Sequence, residues 1–268
     1  MNKAKKYLPF FRASMMNMFI YRGTIWLWML VDVFQFAMMV FLWKSVYQFN
    51  DVISGFTFKE MLVYFLLTNV FFVFTEVDAV FAMSEEIKEG RISLYLVKPI
   101  SYKVRLFAET LGRAISVLLI MLPIAFGMGL VLTLIFDIVW TITIVQVLVA
   151  VLYLPLIFFL MFEFSFFFGT LVIHTSNEFG LVIFMSVFTR VVSGQLIPLS
   201  FYPQFLFNIV EYIPFRFISY PPLILLDKVS IHDAFIGLII LAAWVVGFKI
   251  INYFVYKASI KKMVVFGG

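Results

Sequence analysis

The chain has 268 residues, of which 64% are hydrophobic and only 13% charged, and its formal net charge is +5. A soluble domain of this size carries roughly 45–50% apolar and about 25% charged residues, so the surplus is more than a larger core can absorb and has to face lipid. The absence of cysteine excludes a disulfide, a thiolate nucleophile and a Cys-ligated metal. The basic excess sits at the ends of apolar runs, where a membrane protein places it, and builds no surface for nucleic acid.

Residues 1–22 scatter Lys5, Lys6 and Arg12 among apolar side chains. Such a segment reads as a helix lying in the membrane interface, as a basic anchor that fixes topology, or as both. It has the basic residues of a secretory signal but no small-residue cleavage site after a short apolar core. A membrane span needs about 20 mostly apolar residues, and six such runs follow, at about 23–46, 61–83, 111–136, 140–173, 179–199 and 233–256. The fourth run is long enough to split at Pro155. No polar loop separates its halves, so it reads as one tilted or kinked helix that projects beyond the bilayer. The expected fold is therefore all-α: an interfacial helix and six spans in one membrane domain, 1–268.

Lys and Arg set the orientation. With the N-terminus inside, the inner segments hold Lys3, Lys5, Lys6, Arg12, Arg22, Lys88, Arg91, Lys98, Lys103, Arg105, Lys257, Lys261 and Lys262, and the outer ones hold only Lys59, Arg216 and Lys228. An even number of spans independently puts both termini on the same side.

Two loops are more than connections. Residues 84–106, SEEIKEGRISLYLVKPISYKVRL and on to Phe107, are the longest charged stretch. Ser84 to Gly90 reads as the capped, acidic start of a short helix, with Gly90 at a turn or cap. Ile92, Leu94 and Leu96 then form an apolar strip that Pro99 ends. The loop is either a solvated connection or a helix presented to a partner. Residues 200–230 are hydrophobic yet broken by Pro203, Pro214, Pro221 and Pro222, just after Pro198. They cannot form a continuous span. A re-entrant hairpin of two short helices dipping into the outer leaflet fits, and such backbone persists at membrane depth only when buried in protein or lining a cavity.

No G-x-x-x-x-G-K-S/T phosphate loop, H-E-x-x-H or G-x-S-x-G element occurs. The two histidines, His174 and His232, fall near opposite membrane faces and cannot share a metal. The chain is not expected to be an enzyme. Charges inside the spans are the remaining candidates: Asp32, Glu76, Asp78, Arg113, Glu163 and Arg190. Glu76 and Asp78 are expected on different faces of one helix, with Arg113 in reach of either. These charges either pair with one another or form a polar entrance for a cationic or amphipathic substrate. Asp32 is the best lone acid facing a path.

Two local patterns then carry a resemblance. One is Glu86-Ile87-Lys88-Glu89-Gly90-Arg91-Ile92, running on to Leu96-Val97-Lys98-Pro99-Ile100, between spans two and three. The other is Ser193-Gly194, Ile197-Pro198-Leu199, Tyr202-Pro203 and Ile213-Pro214-Phe215, after span five. With the interfacial helix and the six spans, the chain resembles the ABC-2 type permease family over nearly its whole length. It looks most like the bacterial branch often paired with a second, similar permease. The resemblance implies a type V ABC exporter-like architecture in the bacterial cell membrane, a homo- or heterodimer of permeases, and two docked ATPase subunits that hold the ATP and Mg. It implies that 84–106 is the coupling element, through Glu85, Glu86, Glu89, Gly90, Arg91, Leu94, Lys98 and Pro99. The path would use Asp32, Glu76, Asp78, Glu163 and Arg190, and the hairpin with Gly194, Pro198, Pro203 and Pro214 would close its exit. Neither an added domain like those of lipid- and polysaccharide-specialised members nor the large extracellular domain of peptide-detoxification permeases is expected from these runs. An ion-coupled secondary transporter and a structural membrane subunit or insertion factor remain as alternatives. A matching pair of interrupted helices, the mark of the former, is not visible in the sequence.

Overall fold

The computed structural model describes residues 5–20, 22–175 and 178–261, and among these leaves out the side chains of residues 22, 24–26, 28 and 96. Lys3, Lys262 and the side chains of Arg22 and Leu96 thus lie outside the described residues. Among the described residues eleven α-helices follow in chain order: α1 (Leu8–Ile20), α2 (Arg22–Val46), α3 (Phe58–Phe72), α4 (Ala79–Lys88), α5 (Arg91–Leu96), α6 (Tyr102–Phe136), α7 (Ile144–Thr175), α8 (Glu178–Val192), α9 (Gln204–Val210), α10 (Tyr220–Leu225) and α11 (Ile231–Ile260). A two-stranded hairpin, β1 (Val52–Ile53) and β2 (Phe56–Thr57), joins α2 to α3. Its turn residues Ser54 and Gly55 both have positive φ, at 49° and 82°, as a tight hairpin turn requires.

The starts of the helices are written locally. Thr57 and Glu60 form a reciprocal capping box on α3, and Ser101 and Ser230 cap α6 and α11. The helix α7 is the centre of the bundle. Tyr153, Ile157, Phe158, Leu160, Phe162 and Phe166 on it are essentially inaccessible, and it packs against α11, α4 and α10. Gly169 on α7 admits Met83 of α4: a Cβ there would stand 2.6 Å from the Met83 Sδ. The pair α1 and α6 forms a second unit. Tyr7 accepts the Ser101 N–H at 2.9 Å, and the Ser14 hydroxyl donates to the Glu109 carbonyl at 2.6 Å, so α1 runs along the first turns of α6.

Among the described residues, four helices are long and apolar enough to cross a membrane: α2 over 29–46, α6, α7 and α11. The run 140–173 holds as the single helix α7 with Pro155 inside it. The other two expected spans are not continuous helices. Residues 61–83 divide into α3 and α4 across an irregular stretch, 73–78. Here Thr75 Oγ1 donates to the Phe72 carbonyl at 2.7 Å, a local bond that competes with the helix ladder. The break is stitched from outside: Ser165 of α7 donates to the Val77 carbonyl at 2.7 Å and accepts the Val80 N–H at 3.3 Å. Irregular backbone is tolerated away from water when it is satisfied in this way. Residues 179–199 yield α8, whose 15 residues span about 22 Å, short of the roughly 30 Å hydrocarbon core. Ser193 and Gly194 end it, Gly194 at φ +79°, a backbone state that glycine enters without strain.

Three further boundaries differ from expectation. The helix α6 begins at Tyr102, well before 111. Ser84 to Lys88 are the last turns of α4, not the start of a new helix, because Val80, Met83 and Ser84 continue one buried face. The segment 200–230, with the residues just before it, holds four short helical pieces, not two: 3-10 turns at Leu199–Phe201 and Pro214–Ser219, together with α9 and α10. Its prolines sit at helix starts, where a missing N–H does no harm, and Pro221 and Pro222 open α10.

Candidate functional site

At the end of the bundle that carries α4 and α5, Gly90 (φ +70°) turns the chain between the two helices. Arg105, at the start of α6, lies beneath them and is only 1% exposed. Its guanidinium forks onto both oxygens of Glu86 at 2.7 Å and onto Glu109 at 2.9 and 3.0 Å. The Tyr102 hydroxyl donates to Glu86 at 2.7 Å, and the Tyr95 ring covers the guanidinium at 3.8 Å. Tyr102 in turn stacks on Tyr256 of α11. This buried clamp ties α4 and α5 to α6 and α11. A planar guanidinium can meet two carboxylates with paired bonds to each, whereas an ammonium has only three donors and no fork geometry.

Above the clamp the surface is open. Leu94 is 58% and Val97 83% exposed, and Glu85, Glu89, Lys98 and Pro99 are exposed beside them. Arg91 binds Glu85 at 3.2 Å and also Glu89, while Lys98 rests over the Tyr95 ring. The Pro99 carbonyl accepts from Lys6 at 3.0 Å, so the N-terminal segment holds the far end of the loop. Of the eight coupling candidates, Glu86 alone is turned inward and serves the clamp. Arg105, Tyr102, Tyr95 and Val97 complete the arrangement. They carried no separate signal: Arg105 counted only as a basic residue near a membrane end.

The six intramembrane charges divide. Glu163 of α7, 4% exposed, is paired with Lys103 at 2.5 Å and accepts a hydrogen bond from the Asn252 amide of α11 at 2.6 Å, and the same amide donates to the Glu163 carbonyl at 2.7 Å. Asp78 pairs with Arg113 at 2.6 Å. Asp32, Glu76 and Arg190 make no ion pair or hydrogen bond with the described residues. They share one electrostatic neighbourhood, in which Glu76 feels Arg190, Asp78 and Asp32. Glu76 and Asp78 sit in the irregular stretch 73–78 rather than on opposite faces of a helix. Glu76 and Arg190 are exposed on the side of the chain.

At the other end of the bundle the short helices are sewn to the long ones. The Tyr64 hydroxyl donates to the Gly194 carbonyl at 2.6 Å, Tyr202 to Val191 at 2.6 Å, and Tyr153 to Ala234 at 2.6 Å. Lys228 bridges Glu60 at 2.6 Å and the Gly55 carbonyl at 2.8 Å. Pro198 and Pro214 are buried in this cap and Pro203 is exposed. Phe215, Phe217 and Ile218 anchor it in the core. His174 meets Ser259, and His232 lies beside Asp233 at the opposite end of α11. Among the described residues no group of acids and histidines could hold a metal.

A family model described as ABC-2 family transporter protein matches residues 33–267. A search of curated proteins returns no match.

Proposed function

The chain belongs to the ABC-2 family of transporter proteins, a multi-pass membrane protein by its long apolar helices, and from that premise we propose that it is the permease subunit of an ATP-driven exporter. In this reading the chain crosses the bilayer six times, twice with interrupted or short helices, and α4, α5 and both termini face the cytoplasm. ATP and Mg belong to separate ATPase subunits, and this chain performs no catalysis. A second permease covers the face bearing Asp32, Glu76 and Arg190, since unpaired charges at membrane depth have to face protein or a water-filled path.

The observation that carries the reading is the α4–α5 tip. It exposes Leu94 and Val97 to a partner while Arg105 fastens its underside to α6. A push from a closing ATPase would be delivered through Arg105 to α6 and α11, with 73–78 as the joint that lets α3 move separately. The path would then open between the permeases and release substrate past the 199–225 cap.

Affinity purification of the tagged chain from its native membrane, with mass spectrometry of what is bound, tests this. A stoichiometric ATPase carrying a phosphate-binding loop is expected. A chain that purifies alone as a stable oligomer contradicts it. A second reading, an ion-coupled secondary transporter, draws on one observation: the backbone is irregular at 73–78 and around Gly194, close in the chain to the unpaired Glu76 and Arg190, and interrupted helices beside charges are a feature of such transporters. Proton-driven transport by the purified chain alone would select it.

A further inference from the structure

Between α2, α3 and the end of α8 lies a small cleft of about 30 Å³. By that measure it has room for about two water-sized groups, enough for the end of a head group and too little for a whole ligand. Gln35, Phe36, Phe65, Asn69, Arg190 and Gln195 form most of its wall. Arg190 is the only charged side chain in that wall, and its guanidinium has no partner among the described residues. The buried Gln195 Oε1 has no donor. The cleft therefore offers exposed free donors and a buried free acceptor together, and the buried acceptor is unfavourable to leave unsatisfied.

Next to it stand two carboxylates with no bond of their own. Asp32 lies one turn before Gln35 on α2, and Glu76 follows α3 in the break; both are within electrostatic reach of each other, and Glu76 also of Arg190. Asp78 is already taken by Arg113. One free cation against two free anions leaves a net negative neighbourhood around a cationic cleft. A purely anionic ligand would satisfy Arg190 and be repelled by Asp32 and Glu76; a purely cationic one would do the reverse. Exposed apolar side chains continue from the cleft along both helices, Val31 and Met38 on α2 and Ile183 and Val187 on α8, and give an apolar tail a place to lie.

We propose that this is the head-group subsite for a zwitterionic amphiphile, its anionic oxygens on Arg190 and Asn69 and its cationic nitrogen toward Asp32 and Glu76. The inference deepens the transport-path reading and rests on it.

The probes are dodecylphosphocholine, dodecyltrimethylammonium and dodecyl phosphate, below their micellar concentrations. Binding is measured to the purified complex in phosphatidylglycerol nanodiscs. The zwitterion is expected to bind about tenfold more tightly than either ion, the scale of one charge-assisted hydrogen bond. Arg190→Gln should weaken the zwitterion and the anion and spare the cation, whereas Asp32→Asn should weaken the zwitterion and the cation. Equal affinities for the three probes on the native protein would overturn the proposal, even if a variant fails to assemble. So would a preference that neither substitution alters. Repeating the titration in phosphatidylcholine nanodiscs separates the sources of the same chemistry: loss of probe binding identifies a bilayer lipid as the occupant, and persistence identifies a free amphiphile. Charge selection in a chain with no ATPase partner would sink the exporter reading and leave the subsite standing. ATP-driven export without charge selection would do the opposite.

Discussion

Arg105 decides whether the α4–α5 tip is a rigid lever or a loose loop. It is the largest fully buried side chain among the described residues, and both of its carboxylate partners lie on different turns or helices. Removing one partner of a buried ion pair strands the other, at about 3–5 kcal/mol. Arg105→Met strands both Glu86 and Glu109, so thermal unfolding of the purified protein should show a loss of that size. Arg105→Lys should recover little of it, because a compact three-donor ammonium cannot reproduce the paired planar bonds to both carboxylates. A melting curve unchanged in either variant would show that the clamp carries no stability. In the sequence Arg105 is one of several basic residues near an expected span, and its burial depends on Tyr95 and Tyr102 closing over it. The same limit applied to Glu163: its position in a span was readable, but its pairing with Lys103 and Asn252 joins three helices that only the fold brings together.

Where an element is long, apolar and uninterrupted, the hydrophobic run marked it well, as for α2, α7 and α11. Where a crossing is broken, hydropathy alone misled. Residues 61–83 are apolar enough for one span, but the interruption at 73–78 depends on Ser165 of α7 to satisfy it, a contact from 85 or more positions away along the chain. The 84–106 segment shows a mixed outcome. Gly90 was legible as a turn because glycine enters positive φ freely, whereas the register of α4 was not, because its buried face is defined by α7. The pairing of α1 with α6 gives an element-scale prediction. A Cβ on Gly112 would lie 2.5 Å from the Phe11 carbonyl oxygen, while one on Gly127 meets nothing within 4 Å. Gly112→Leu should push α1 off α6, read as faster backbone hydrogen exchange over residues 8–20, and Gly127→Leu should leave that exchange unchanged. Equal protection in the two variants would mean that α1 does not need this close approach.

For the whole molecule, membrane residence was the legible property: composition pointed away from a soluble domain, and among the described residues four helices are long and apolar enough to cross a membrane, while Lys88, Arg91, Lys98, Lys103 and Arg105 lie on the side where α4 and α5 emerge. The account of function stands on that same side, in the claim that the tip at Leu94 and Val97 meets an ATPase. The cysteine-free sequence allows a clean measurement. Single cysteines at Leu94 and Val97, and at the exposed Phe205 of α9 on the opposite side, would be cross-linked with a short bifunctional thiol reagent in native membranes. The account predicts a product of permease plus ATPase mass from Leu94→Cys and Val97→Cys, altered by adding ATP, and none from Phe205→Cys. No such product from either tip position, in membranes where the ATPase co-purifies with the permease, would contradict it.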